Sequence, residues 1–476
     1  MNRQIGQLFV LVGLMFTVLV AFTSYWTVLD AKGLEDNSAN RRPLIEAQKV
    51  PRGLILARDG TVLARSRGRG RGDDRVFTRF YPRGPLFSHA VGYSFIERGR
   101  SGIEQSYDDE LAGREDEFES VLSGLENRER EGADVYTNLD RAGQETAIRA
   151  LGGRAGSIVA IEPQSGKVRV MASVPNYDAN QIPDRFSQLN RAEGSPLLNR
   201  ATQARYQPGS TFKVVTAAAA LDTGKFTPDS VLDGSSPKMI GGVPLSNSGG
   251  ENFGPVSLTD ALTNSVNTVW AQVGQRLGKS TMYKYMQRFG FNSKPPLDYP
   301  PQQMDSSGVF SSGRLLSEGD AVDIGRVAIG QERLQVTPIQ MAMVAAAVAN
   351  GGRLFKPRLV DRIVRKDGRV KRRIEPNLQT QVISRKAADQ LTQMMGRVVE
   401  EGTGTAAALS GIRVAGKTGT AEVANGTANQ AWFIAFAPID RPRMAIAVTV
   451  ERTSGQGGTV AAPLAKQVLE VLLGEE

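Results

Sequence analysis

The chain has 476 residues, of which 40% are hydrophobic, with no cysteine and a single histidine, His89. That length predicts about three domain-sized units and a sizeable core, and the composition excludes a disulfide framework, a thiolate metal site, a cysteine nucleophile and a multi-histidine metal centre. The net charge is +9, but residues 1–156 carry 22 basic and 22 acidic side chains, so the whole excess lies in residues 157–476.

From Gln4 to Leu29 there is no charged residue, and Leu8–Phe22 is almost wholly apolar. A membrane span needs about 20 such residues. Tyr25 and Trp26 stand where an interfacial belt would, and Arg3 precedes the run, which predicts a cytoplasmic start and an exported remainder. This argues against the nucleic-acid partner that a basic chain invites. A cleaved signal peptide is the rival, but Ala21-Phe22-Thr23 is a poor cleavage site. Residues 1–29 therefore read as a cytoplasmic stub and an uncleaved anchor.

Residues 30–155 read as one exported region with segregated charge. Arg41–Arg83 holds twelve basic residues against four acidic, and Glu97–Glu119 three against nine. The Arg/Gly stretch Arg65–Gly72 has no hydrophobic anchor and reads as a solvated loop. It could also meet anionic lipid or wall polymer, or the two charge blocks could pair with each other.

Residues 156–476 read as the catalytic domain. Gly156–Ile161 and Lys167–Ala172 are β-branched runs around Glu162-Pro-Gln-Ser-Gly166, a hairpin signal. Ala431–Phe436 and Arg443–Val450, around Pro438–Pro442, give a second. Between them, Phe212–Leu221 is apolar nearly all round and stops at Gly224, as a buried helix would. Pro338–Ala349, Lys386–Glu401 and Ala462–Leu473 also read as helices. Strands at both ends with helices between predict an α/β or α+β domain whose sheet joins distant parts of the chain, and the fold class is taken as α+β on the family likeness below.

Three short motifs carry chemistry. In Gln207-Pro-Gly-Ser-Thr-Phe-Lys213, Ser210 stands at a helix start with Lys213 three residues on, a spacing that places both on one face. Serine needs a base, and a lysine made neutral by burial or by a second cation can be one. A helix N-terminus favours an oxyanion formed beside it. In Ser265-Val-Asn267, after the helical-looking Asp260–Asn264, a second hydroxyl could relay a proton and an amide could hold a peptide-like substrate. Lys417-Thr-Gly-Thr-Ala421 reads as an edge strand that could pair with an extended peptide, with Gly419 allowing close approach. Lys417 could bind a carboxylate and lower the pKa of Lys213. With no cysteine and with His89 far from Ser210 in sequence, lysine is the natural base.

Ser-x-x-Lys, Ser-x-Asn and Lys-Thr-Gly in this order are the motif set of penicillin-binding proteins and class A β-lactamases. The chain resembles the class B penicillin-binding proteins, monofunctional peptidoglycan D,D-transpeptidases. Arg52–Ala64, Gly102–Gly113, Asn176–Asn180, Ser195–Arg200, Gly330-Gln331, Val336–Ala342 and Trp432–Pro438 match further landmarks of that class. The short N-terminal region and the Asn199-Arg200 lead-in resemble its actinobacterial penicillin-binding protein A branch.

The resemblance implies a transpeptidase fold, an antiparallel five-stranded sheet flanked by helices, on a small extended pedestal domain. It implies that Ser210 attacks a D-Ala-D-Ala carbonyl and forms an acyl-enzyme, with Lys213 as base. Ser265 would relay the proton and Asn267 position the peptide. Lys417 and Thr418 would hold the carboxylate, and the N–H groups of Ser210 and Thr420 would form the oxyanion hole. An amine from a neighbouring stem would then take the acyl group, without metal or cofactor, and β-lactams would stall on Ser210. A glycan polymerase of the SEDS type is the implied membrane partner. One departure is Gly330-Gln331-Glu332, where the family often has Gly-Gln-Gly.

Two rivals share the fold. A class A β-lactamase deacylates through a glutamate, which in that class resembles a loop some tens of residues after Ser-x-Asn. Here no glutamate occurs between Glu251 and Glu318, and Asn267 stands where class D enzymes have valine. A non-catalytic penicillin sensor is the other, and the complete motif set weighs against it.

Overall fold

The computed structural model describes residues 2–25, 48–71, 75–114, 131–423 and 428–474. The chain divides into two compact units, residues 1–51 with 67–78, and residues 52–66 with 79–476. In the first, helix α1 (Asn2–Ser24) contains the apolar run. Its Arg3–Ser24 stretch is long and apolar enough to cross a membrane, and none of it is buried. At 1.5 Å per residue it is about 33 Å long, against a hydrocarbon core of about 30 Å. Trp26 lies outside the described residues.

Two sheets alternate along the rest of the chain. Strands β1 (Ile55–Leu56), β2 (Val62–Arg69), β3 (Val76–Phe80) and β4 (Asp134–Thr137) belong to the first, and β5 (Gly156–Ile161) and β6 (Val168–Val174) to the second. Strands β7 (Val360–Val364) and β8 (Val370–Arg373) return to the first, and β9 (Ala415–Val423), β10 (Ala428–Ala437) and β11 (Met444–Thr453) complete the second. The first sheet has the order β8-β7-β4-β1-β2-β3, and the second β9-β10-β11-β5-β6. Every pairing in the second is antiparallel. Both expected hairpins are present there, and β11 joins them by pairing with β5.

Around the second sheet stand α2 (Arg141–Leu151), α3 (Lys213–Asp222), α4 (Leu258–Thr263), α5 (Asn267–Leu277), α6 (Pro338–Ala349), α7 (Arg385–Glu400) and α8 (Gly457–Gly474). Side chains alternate across a strand. Val159, Trp432, Ile434 and Ala447 share one core with α3 and α6, while Ile158, Phe433, Ala435 and Val448 share another with α2 and α8. A sheet covered on both faces favours apolar side chains on both, which is why β5, β6, β10 and β11 read as near-continuous hydrophobic runs. Every residue of α6 is buried.

The Arg65–Gly72 stretch, expected as a loop, is strand as far as Arg69. Main-chain pairing with β3 supplies what the side chains lack. Arg65 lies over the Phe80 ring at 5.6 Å, and a Cβ at Gly68 would stand 2.6 Å from Arg75 Nε. The glycine thus leaves room for the facing arginine.

The basic and acidic blocks pair with each other. Glu104, fully buried, accepts from Arg52 Nη2 at 2.9 Å and from Arg79 Nε. Arg52 also reaches Asp108 at 2.6 Å, and Arg79 Nη1 donates to the Gly53 carbonyl at 2.7 Å. Burial alone would raise the Glu104 carboxyl, but Arg79 and Arg52 outweigh it and hold it below the usual carboxylate range. Its contribution to stability is therefore present above the unfolded carboxyl pKa of about 4.3 and is lost as pH falls through the lower folded value. Glu104→Gln leaves two buried guanidiniums short of a counter-charge. It should cost about 3–5 kcal/mol in denaturant unfolding at pH 7, with the deficit narrowing at acid pH.

Candidate active site

The three motifs converge. The turn Gly209–Phe212 is a 3-10 helix that runs into α3 at Lys213. In such a turn residues i and i+3 eclipse, which sets Ser210 over Lys213. Gly209 has φ 51° and donates its N–H to the Gly330 carbonyl at 3.1 Å. A Cβ on it would stand 2.5 Å from Thr420 O, and one on Gly419 would stand 2.6 Å from Pro208 O. The serine turn and β9 therefore touch backbone to backbone, and glycine is required on both sides. Ser210 is half-buried, and its hydroxyl makes no hydrogen bond among the described residues.

Helix α3 is buried on all sides, so Lys213 projects from a dry surface with no exposure at all. Its Nζ donates to the Ser265 carbonyl and to Asn267 Oδ1, each at 2.7 Å, and lies 3.2 Å from Ser265 Oγ. Ser265 occupies the turn between α4 and α5 with φ 59°, a strained conformation for a residue other than glycine. Asn267 opens α5 and donates its amide to the Ser246 carbonyl at 3.1 Å, which fixes its oxygen toward Lys213.

Lys417, also fully buried, is on the edge strand β9 opposite Ile434 of β10. Its Nζ donates to Ser265 Oγ at 2.9 Å and to the Thr418 carbonyl at 3.1 Å. Ser265 Oγ thus lies between the two lysine nitrogens. Lys417 Nζ also comes within 3.5 Å of the Thr418 hydroxyl. The Thr418 hydroxyl meets that of Thr403 at 2.6 Å, and the Thr420 hydroxyl accepts from the N–H of Gly457, the first residue of α8.

Burial, and then the like charge of Lys417, drive the Lys213 ammonium well below its ordinary pKa. Burial brings Lys417 down to about 7. As the two interact, the apparent values belong to the pair. A neutral Lys213 has two N–H donors and one lone pair. The two 2.7 Å bonds to acceptor oxygens take both donors, which leaves the lone pair for a hydroxyl proton.

Sequence reasoning did not identify Thr403, whose signal is the Gly402-Thr-Gly-Thr405 turn, or Asn247. Asn247 is buried, and its Oδ1 accepts from Thr268 N at 3.0 Å in the first turn of α5. A frame behind the serine turn was also not identified. Glu451 accepts from Arg200 Nε at 2.7 Å and from the Tyr206 hydroxyl at 2.5 Å, and Trp432 Nε1 donates to the Gln207 carbonyl at 2.9 Å.

The residues at 330–332 keep a glycine-like path. Glu332 has φ 62°, and its carbonyl accepts from Gln207 Nε2 at 2.9 Å. Left-handed backbone costs a non-glycine residue about 1–2 kcal/mol, and glycine loses about 0.5–1 kcal/mol in chain entropy. Glu332→Gly should therefore raise the thermal midpoint, and a fall would show that the loop is relaxed as it stands.

Lys417 has a folded pKa below the unfolded value of about 10.4. Its burial therefore destabilises the fold fully below pH 7, and the penalty disappears as pH rises toward 10. Lys417→Met should raise the thermal midpoint at pH 7, and the gap from the parent protein should close between pH 7 and 10.

Comparison with known proteins gives a consistent picture. Residues 156–470 match the penicillin-binding protein transpeptidase domain, and residues 52–135 match the penicillin-binding protein A dimerisation domain. The chain is 32% identical to the peptidoglycan D,D-transpeptidase PbpA of Mycolicibacterium smegmatis over all of both chains. It is 32% identical to the stage V sporulation protein D of Bacillus subtilis over 83% of this chain and 64% of that one. The structure of penicillin-binding protein A from M. tuberculosis as a ceftriaxone acyl-enzyme superposes with a TM-score of 0.81 at 31% identity, covering 90% of this chain and all of that one.

Proposed function

The chain belongs to the class B penicillin-binding proteins, and from that premise we propose that it is a peptidoglycan D,D-transpeptidase working through a Ser210 acyl-enzyme. The observation that carries this reading is the pair of fully buried lysines, Lys213 and Lys417, meeting at the Ser265 hydroxyl with no carboxylate contributing to either.

The lone pair of Lys213 takes the Ser210 proton as Oγ bonds to the carbonyl carbon of the penultimate D-Ala. The N–H groups of Ser210 and Thr420 hold the oxyanion. The peptide C–N bond then breaks, and the proton passes through Ser265 to the leaving D-Ala amine. Lys417 and Thr418 hold the terminal carboxylate and Asn267 positions the peptide amide, while the absence of a side chain at Gly419 makes room for the serine turn itself. An amine from a second stem reverses the steps and forms the cross-link. β-Lactams enter by the same attack, with the lactam C–N bond breaking but no leaving group departing.

The reading extends to the whole chain. Residues 1–29 anchor it with the amino terminus cytoplasmic, residues 30–155 form a pedestal, and residues 156–476 work outside the membrane. A SEDS-type glycan polymerase in the same membrane is the partner that would supply strands.

Intact mass after penicillin treatment should show one adduct on Ser210, and Ser210→Ala should abolish it without changing the unfolding midpoint. A thioester donor with a D-amino acid acceptor should give exchange product. Rapid loss of the adduct would mark a β-lactamase, and an adduct without exchange would mark a sensor. The second-order acylation rate should fall above about pH 7 as Lys417 loses the proton that binds the carboxylate. A flat profile from pH 6 to 9 would remove Lys417 from that role.

A further inference from the structure

The β7–β8 hairpin at the end of the first sheet concentrates charge. Residues 360–373 carry seven basic side chains against two acidic, a net +5 in a chain of net +9. Strand β8 pairs only with β7, so its outer edge has no partner strand among the described residues, and all four of its residues are exposed. Lys371 and Arg373 form no ion pair among the described residues. Like charge opposes pairing with a second copy of the same strand.

Beside this edge opens a cleft of about 390 Å³, walled by Tyr107, Leu297, Tyr299, Pro300 and Pro301, with Arg372 of β8 in its lining. Arg372 lies 6.0 Å from the centre of the Tyr107 ring and reaches Glu110 at 2.6 Å, which holds its guanidinium at the cleft. Asp298, also in the wall, accepts from the Tyr107 hydroxyl at 2.7 Å and from the N–H groups of Leu359 and Val360 at 2.6 and 3.0 Å, so its oxygens are already engaged within the fold. What remains is ring and proline surface with a guanidinium beside it, a lining that suits an aromatic side chain. Arg372 and Arg373 stand opposite Ile363 and Arg362 in unbroken register, so they point to opposite faces of the sheet. A chain extended along β8 therefore offers one side chain to the cleft and the next to Arg373. The alternation that fits is aromatic, then acidic.

We propose that β8 and this cleft form a docking site for an extended acidic segment of a partner protein, with one aromatic side chain in the cleft and carboxylates beside Lys371 and Arg373. The site is separate from the chemistry at Ser210 and does not depend on it.

The test is fluorescence anisotropy on the full chain in detergent. The probe is a labelled nine-residue peptide of alternating threonine and glutamate around one central phenylalanine. Saturable binding is expected, weakened about tenfold when serine replaces the phenylalanine. Lys371→Glu with Arg373→Glu should weaken it about tenfold, the scale of two exposed ion pairs, without moving the thermal midpoint, and raised salt should weaken it too. Ser106 is exposed in the cleft lining, and Ser106→Trp should weaken the phenylalanine peptide while leaving the serine peptide unchanged. Absence of saturable binding, or equal affinity for the two peptides, would overturn the proposal. Binding to phosphatidylglycerol vesicles that is lost in the Lys371/Arg373 variant, with no binding of the peptide, would give the surface to lipid instead. Glu115-Asp-Glu-Phe-Glu119, outside the described residues, is the rival occupant. Peptide binding that appears only after its four acids are changed to amides would assign the edge to the chain's own segment and overturn the proposal.

Discussion

Two lysines, both out of water and neither paired with a carboxylate among the described residues, share one serine hydroxyl, and much of the surrounding structure follows from that. A buried ammonium is costly unless it is paired. Here the cost is met by making the groups easier to neutralise and by giving each N–H an oxygen. Lys213 needs the Ser265 carbonyl and Asn267 Oδ1, which requires α4 to stop, turn through a strained residue and restart as α5. Lys417 needs a strand whose opposite edge is zipped into the sheet. Helix α3 must be apolar on every side, because one water-facing stripe would restore the charge of its first residue.

Much of this was legible in the chain. The runs at Gly156–Ile161 and Ala431–Phe436 had to be strands covered on both faces, and Phe212–Leu221 had to be a core helix, because their apolar character leaves few other solutions. The residues that the candidate site brings together, Lys213, Ser265, Asn267 and Lys417, were legible by spacing and by family likeness. What stayed hidden was long-range. Nothing local marks Thr403 as the partner of Thr418, or Glu451 as the anchor for Arg200 and Tyr206, since each pair meets through tertiary packing. The Arg65–Gly72 stretch reads as loop because strand pairing by backbone leaves little trace when the side chains are arginine and glycine.

Two of the six described non-glycine residues with left-handed backbone border the site. Ser265 and Glu332, neither of them glycine, both have left-handed backbone, and each contributes a carbonyl that fixes a neighbour, Lys213 for the first and Gln207 for the second. Residues in such conformations persist where their surroundings over-determine them. Close backbone contacts of Gly330 with Gly209, of Gly209 with Thr420 and of Gly419 with Pro208 provide part of that surrounding.

The first sheet draws strands from both ends of the chain, and Val360 of β7 pairs with Thr137 of β4 across about 220 residues. At a synthesis rate of roughly 5–20 residues per second, β4 emerges some 10–45 s before its neighbour exists. Until then β4 has one open edge and the sheet cannot close, a state in which unpaired strands invite wrong partners. Strands from residues 360–373 therefore act as the closing piece of a sheet begun at residue 55. A nascent chain stalled before β7 would have neither sheet finished, and the second sheet, which needs β9 to β11, can close only after the first.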